Sequence, residues 1–192
     1  METMFKSDFN EPMMSTKVAM SVEDRRALTQ IESSVKLVNS HYQLGLPWKF
    51  KSVSLPNNHD FAMGRLRHLK KRFQHDLHLF EKYKDTINGY VSSGFPRRVP
   101  CDELTPAKDT PVWYLPHHPV FHLQKSGKVR VVFDCAAKCK GTSLNDQLLQ
   151  GPDLNNGLVG VLIRFRQEPV AMFADVEGMF HQVWVAPEDC LR

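Results

Sequence analysis

Cysteine is too sparse in this chain to build a framework. Cys101, Cys135, Cys139 and Cys190 do not form the paired C-x-x-C spacing of a zinc site, and they give no disulfide pattern. Free thiols without a disulfide partner are expected, as in a reducing compartment. No apolar run approaches the length that spans a bilayer. The N-terminal residues carry Glu2 and Asp8 and have no continuous apolar core, so a secretory signal is not expected either. Charge of one sign is also modest. The formal net charge of +4 is compatible with a phosphate-rich partner but does not demand one. No internal repeat or low-complexity tract is evident. What remains, with 42% hydrophobic residues in 192, is enough for a packed core.

Periodicity then divides the chain. Residues 1–20 show no clear period. Ser21 followed by Asp24 is a variant of a capping box, and Leu28, Ile31, Val35 and Val38 continue from it as a helical stripe. Tyr42, Leu44 and Leu46 alternate, which suggests a short strand stopped by Pro47. Leu55-Pro56-Asn57-Asn58 reads as a turn with Asn58 as helix cap. The longest helical signal runs from about Asp60 to Ser92, with apolar steps of three and four from Ala62 through Leu66, Leu69, Phe73, Leu77, Phe80, Tyr83 and Ile87 to Tyr90. Gly94 and Pro96 end it. Its other face carries Arg65, Arg67, Lys70, Lys71, Arg72, Lys82 and Lys84, interrupted by Asp76, Glu81 and Asp85. Such a face is either a solvated surface or a track for phosphates.

Beyond a proline-punctuated loop at 101–111, two runs separated by Ser126-Gly127 read as a β-hairpin, Pro119–Gln124 and Lys128–Asp134. Lys125, Lys128 and Arg130 crowd its tip and return strand. His117 and His118 are adjacent, so they cannot share one strand face to ligate a metal; loop residues are expected. Gly141–Gly151 reads as irregular. A helix is expected from Asn155 or Asn156 through Leu158, Leu162 and Phe165. An apolar strand, Pro169–Ala174, then delivers Asp175 to a tight turn, and Val183-Trp184-Val185 resumes as strand. An aspartate at such a place is either a turn former or a ligand for a hard, oxygen-seeking cation. Turn amides that follow it can face phosphates.

The motifs in order resemble a known family. Trp113-Tyr114-Leu115-Pro116-His117-His118-Pro119-Val120, Lys128-Val129-Arg130-Val131-Val132-Phe133-Asp134-Cys135-Ala136-Ala137, Ser143–Leu154 and Phe173–Val183 are similar to the fingers and first palm segments of reverse transcriptases of BEL/Pao-type LTR retrotransposons. Met20–Leu28 and His41–Trp48 resemble the linker that precedes the polymerase in those polyproteins. The likeness covers the chain from about Ser21 onward.

It implies an α+β fold: a helical N-terminal region followed by truncated fingers and palm. Residues 1–58 would be linker with one helix and a short strand, 59–100 a helical segment leading into the fingers, and 101–192 the fingers hairpin and first palm strands. The implied activity is RNA-directed DNA polymerase, on an RNA or DNA template–primer with deoxynucleotides and Mg²⁺. Asp175 would be the catalytic, metal-holding carboxylate. Val176, Glu177, Gly178 and Met179 would seat the triphosphate, and Phe180 would lie against the sugar and exclude a ribose 2′-OH. Gln182, Asp134, Lys128 and Arg130 would complete the nucleotide site, Arg130 by gripping phosphates. Lys70, Lys71 and Arg72 would face nucleic acid. An intracellular place, cytoplasm or virus-like particle, follows from the same likeness, with no membrane partner.

One element of the family is missing. Two-metal phosphoryl transfer needs further carboxylates that hold ions about 3.5–4 Å apart, and the family supplies them from a Tyr-x-Asp-Asp hairpin. No Tyr-x-Asp-Asp occurs in the 192 residues. The expectation is therefore the nucleotide-facing half of a site, inactive by itself. The alternatives are a non-catalytic nucleic-acid-binding module or a functionless relic.

Overall fold

The computed structural model describes residues 20–53, 55–100, 112–121 and 128–190. They form a mixed helix-and-strand architecture of the α+β kind. Helix α1, Val22–Ser34, starts at a complete capping box: the Asp24 amide donates to Ser21 Oγ at 3.0 Å and the Ser21 amide donates back to Asp24 Oδ2 at 3.3 Å. Two short strands follow, β1 at Lys36–Val38 and β2 at His41–Leu44, paired antiparallel. Asn39 and Ser40 join them with φ of 49° and 66°. Two consecutive left-handed residues suit the right-handed twist of a tight hairpin, and Asn tolerates that region well. The helical stripe anticipated through Val38 therefore stops at Ser34, and Val38 belongs to a strand.

The long helical signal resolves into α2, His59–His75, and α3, Leu77–Ser92. The break falls at Asp76. Asp76 is extended (φ −136°, ψ 83°), and its carboxylate accepts the Leu79 amide at 2.9 Å, so one residue both ends α2 and caps α3. Against this pair lies the expected hairpin, β3 at His117–Phe121 and β4 at Val129–Phe133, in antiparallel register with Pro119 opposite Val131. Leu69, Phe73, Leu79, Tyr83, Val129 and Val131 make the main core, so the hairpin is welded to the helical pair through alternate residues of β4. Its tip, with Lys125, lies outside the described residues.

Two segments depart from the sequence reading. The stretch anticipated as irregular contains a one-turn helix, α4 at Leu144–Gln147, capped reciprocally by Ser143 and Asp146. Hydrogen bonding from Ser143 holds the Asp146 carboxyl below its ordinary pKa. After α5, Leu158–Phe165, the expected strand Pro169–Ala174 does not form; residues 167–176 are neither helix nor strand. They carry a strand-like composition without a ladder partner among the described residues, and propensity alone does not make a strand. Strand β5, Val183–Val185, does form, and it lies parallel to β2 with Tyr42 opposite Val183. The sheet order is β1-β2-β5, which places residues 36–44 beside the segment that follows Asp175. Among the described residues, no helix is long and apolar enough to cross a membrane.

Candidate functional site

The loop from Asp175 to Gln182 is shaped by its backbone. Gly178 sits in the left-handed region (φ 60°, ψ 34°), which glycine occupies without the steric cost of a Cβ. A single 3-10 turn, Met179–His181, follows it: His181 N–H donates to Gly178 O at 2.7 Å and Gln182 N–H to Met179 O at 3.1 Å. The Gln182 side chain closes the loop by donating from Nε2 to Glu177 O at 3.0 Å. Gln182 is thus a brace within the loop. Asp175, Val176, Glu177, Met179 and Phe180 are exposed, Phe180 to 86%. A large ring held in solvent at the rim of a glycine turn is available to a partner rather than used in the core.

Around this loop two histidines make the packing contacts. The His181 ring stacks on Phe95 (centroids 4.5 Å apart, planes 10°) and leans on Tyr90 at 4.8 Å. His41 of β2 stacks on Trp184 of β5 at 4.7 Å and 13°, and its Nδ1 donates to Gln182 O at 3.2 Å. Sequence reasoning passed over His41, His181 and Phe95. A contact such as His41 to Gln182 joins positions 141 apart, which no local pattern reveals.

Arg130 and Lys128 are exposed, Arg130 on β4 opposite Val120. Alternation along β4 buries Val129 and Val131 and leaves Arg130 on the outer face, free of the core. Asp134 occupies another environment. Its amide donates to Pro116 O at 2.7 Å, ending the hairpin, and its carboxylate lies 3.5 Å from the Arg65 guanidinium of α2. That makes it a contact between hairpin and helix. Lys70, Lys71 and Arg72 are exposed on α2, and the Arg72 guanidinium lies 5.7 Å from the Phe121 ring centre, tying the basic helix to β3.

Among the described residues, no group of three or more His, Cys, Asp or Glu is placed to hold a metal, at Asp175 or elsewhere. One exposed carboxylate suits magnesium in a single respect, because this ion is often held by one or two carboxylates with substrate phosphates and waters filling its shell. His117 and His118 are half-buried strand residues rather than loop residues. His117 Nδ1 pairs with the Tyr83 hydroxyl, and the two rings stack. Burial, with the charge of His118 second, lowers the His117 pKa below its ordinary value. Burial, with Tyr90 second, pushes the Tyr83 phenol up to about 12. The pair is therefore neutral and structural near neutral pH. Cys135, Cys139 and Cys190 are free thiols, and burial followed by Asp134 raises Cys135, which keeps it protonated and unreactive.

The residues that precede the loop leave many apolar side chains exposed. In α5 every residue is exposed, although the sequence Leu-Val-Gly-Val-Leu-Ile-Arg-Phe is apolar nearly all round. Met172 and Phe173 are exposed to 91% and 90%. A helix of that composition is normally buried. No protein-family model, curated protein or solved structure matches the chain.

Proposed function

We propose that the chain carries the fingers and first palm segments of a BEL/Pao-like reverse transcriptase, the nucleotide-facing half of an RNA-directed DNA polymerase site. One observation carries this reading. The exposed carboxylate, the left-handed glycine turn and the exposed aromatic ring follow one another at 175, 178 and 180, downstream of a cationic hairpin packed on helices. Each group has a task in that order. Asp175 would hold magnesium, which would supply positive charge against that of a triphosphate when bound. The amides of 176–180 would face those oxygens. Phe180 would lie against the deoxyribose and reject a 2′-hydroxyl by bulk. Arg130 would grip phosphate by its planar fork, and Lys128 would add a point charge. Lys70, Lys71 and Arg72 would meet the template–primer backbone. The exposed α5 and 167–176 surface is what a palm sheet would cover.

With no Tyr-x-Asp-Asp, the chain alone should not polymerise. On a primed template with magnesium and deoxynucleotides, incorporation should stay at background. Mg·dTTP should bind weakly, and both Asp175→Asn and Arg130→Ala should weaken it. Incorporation that Asp175→Asn abolishes would show a complete site. Absence of any magnesium-dependent nucleotide binding would remove the polymerase reading. The exposed basic face of α2 favours a second reading, a nucleic-acid-binding module without catalysis. Its mark would be template binding that persists while Mg·dTTP binding is absent.

A further inference from the structure

We infer that the β1–β2 hairpin and the Gly45–Trp48 segment after it position the Asp175–Gln182 loop for its ligand, with His41 as the main positioning residue. The inference rests on the reading of that loop as a triphosphate seat. The loop reaches its place from two ends, and the ends differ. On the upstream side, residues 167–176 belong to no helix or strand and are exposed, so they do not fix where Asp175 and Gly178 lie. On the downstream side the chain enters β5, only three residues long. A strand that short depends on its neighbour, and its ladder partner is β2, through the pairs Tyr42–Val183, Gln43–Trp184 and Leu44–Val185.

Side-chain contacts reinforce that weak ladder. His41 stacks on Trp184 and donates from Nδ1 to Gln182 O, in the residue whose side chain closes the loop on Glu177 O. Asp189 follows β5 in a 3-10 turn and uses both carboxylate oxygens on the upstream segment: Leu46 N–H donates to Oδ2 and Trp48 Nε1–H to Oδ1, each at 2.8 Å. Gly45 passes close to it, where an added Cβ would lie 3.4 Å from Asp189 Oδ2. From the opposite side His181 rests on Phe95 and Tyr90 at the end of α3. The direction in which the loop amides point is thus set by residues that precede the fingers in sequence. His41 is thus a positioning residue. It acts through Gln182 and Trp184.

The test uses the whole chain, read by amide hydrogen exchange and by equilibrium binding of Mg·dTTP. His41→Ala should make the amides of 178–185 exchange about five- to tenfold faster, the factor expected for losing one hydrogen bond of ordinary worth. The amides of α2 and α3 should keep their rates, and Mg·dTTP affinity should fall by a similar factor. His41→Phe, which keeps the stack, and His41→Asn, which keeps a donor, should each recover part of both effects. Asp189→Asn, a milder change, should loosen 183–190 in the same sense if His41→Ala fails to fold. Unchanged exchange in 178–185 for both His41→Ala and Asp189→Asn would overturn the inference. So would loosened exchange with undiminished Mg·dTTP affinity. A wild-type chain that binds no Mg·dTTP would defeat the triphosphate seat itself, and with it the positioning role, even where the exchange data showed the hairpin holding the loop.

Discussion

Asn58 shows how one side chain can join distant parts of this fold. It is 1% exposed and occupies the position before α2, yet it makes no cap. Its Oδ1 accepts the Tyr114 amide and its Nδ2 donates to Tyr114 O, both at 2.8 Å, so it mimics a strand partner for the segment entering β3. Asn58→Ala leaves two part-buried backbone groups of Tyr114 without this partner and should cost about 2–6 kcal/mol, the sum of two losses of about 1–3 kcal/mol each, read as a lower urea midpoint. Asn58→Asp should also destabilise, because a carboxylate cannot donate to Tyr114 O. His117 gives a pH dependence whose sign is fixed. Its folded pKa is lowered by burial first and by His118 second, so the unfolded chain takes up the proton more readily. Its contribution is therefore complete above roughly pH 6.5, the unfolded value. It declines as the pH falls from there toward the lower folded value. His117→Phe should flatten that part of the stability profile, and an unchanged slope would remove His117 as its source.

At the scale of elements, the helical pair and hairpin should be the stable unit. Leu79 is 2% exposed at the centre of the main core, and Leu79→Ala should cost about 2–5 kcal/mol in denaturant unfolding. Amides of α2 and α3 should exchange slowly, and those of 167–176 quickly, since the latter lie in no helix or strand. If the basic face of α2 binds nucleic acid, charge reversal at Lys70, Lys71 and Arg72 should weaken binding alike for every sequence and reduce its salt dependence. These elements were also the ones legible in the sequence. The α2 and α3 stripes are long, and Asp76 is a residue that caps. The β3–β4 pattern alternates on either side of Ser126-Gly127 in the sequence. The failures have physical causes. Val35 and Val38 prolong the spacing of α1, but the left-handed Asn39–Ser40 turn folds them back into a hairpin. Pro169–Ala174 has strand composition without a partner to pair with among the described residues.

For the whole molecule, the main lesson is topological. The residues of the loop could be picked out locally, because a carboxylate, a glycine and an aromatic ring at 175, 178 and 180 form a short pattern. The residues that hold the loop could not, since they come from β2, from α3 and from the Gly45–Trp48 segment. Asp134 meets Arg65, and Gln182 closes its own loop. The central claim is that the outer face of β4 and the 175–182 loop face one nucleotide. The most direct measurement is photo-crosslinking of the chain with an azido-deoxyuridine triphosphate in the presence of primed template, followed by peptide mapping. The account predicts label on the peptides containing Arg130 and Phe180, dependent on magnesium and competed by dTTP better than by UTP. Label spread without regard to magnesium, or confined to the apolar surface of α5, would contradict it.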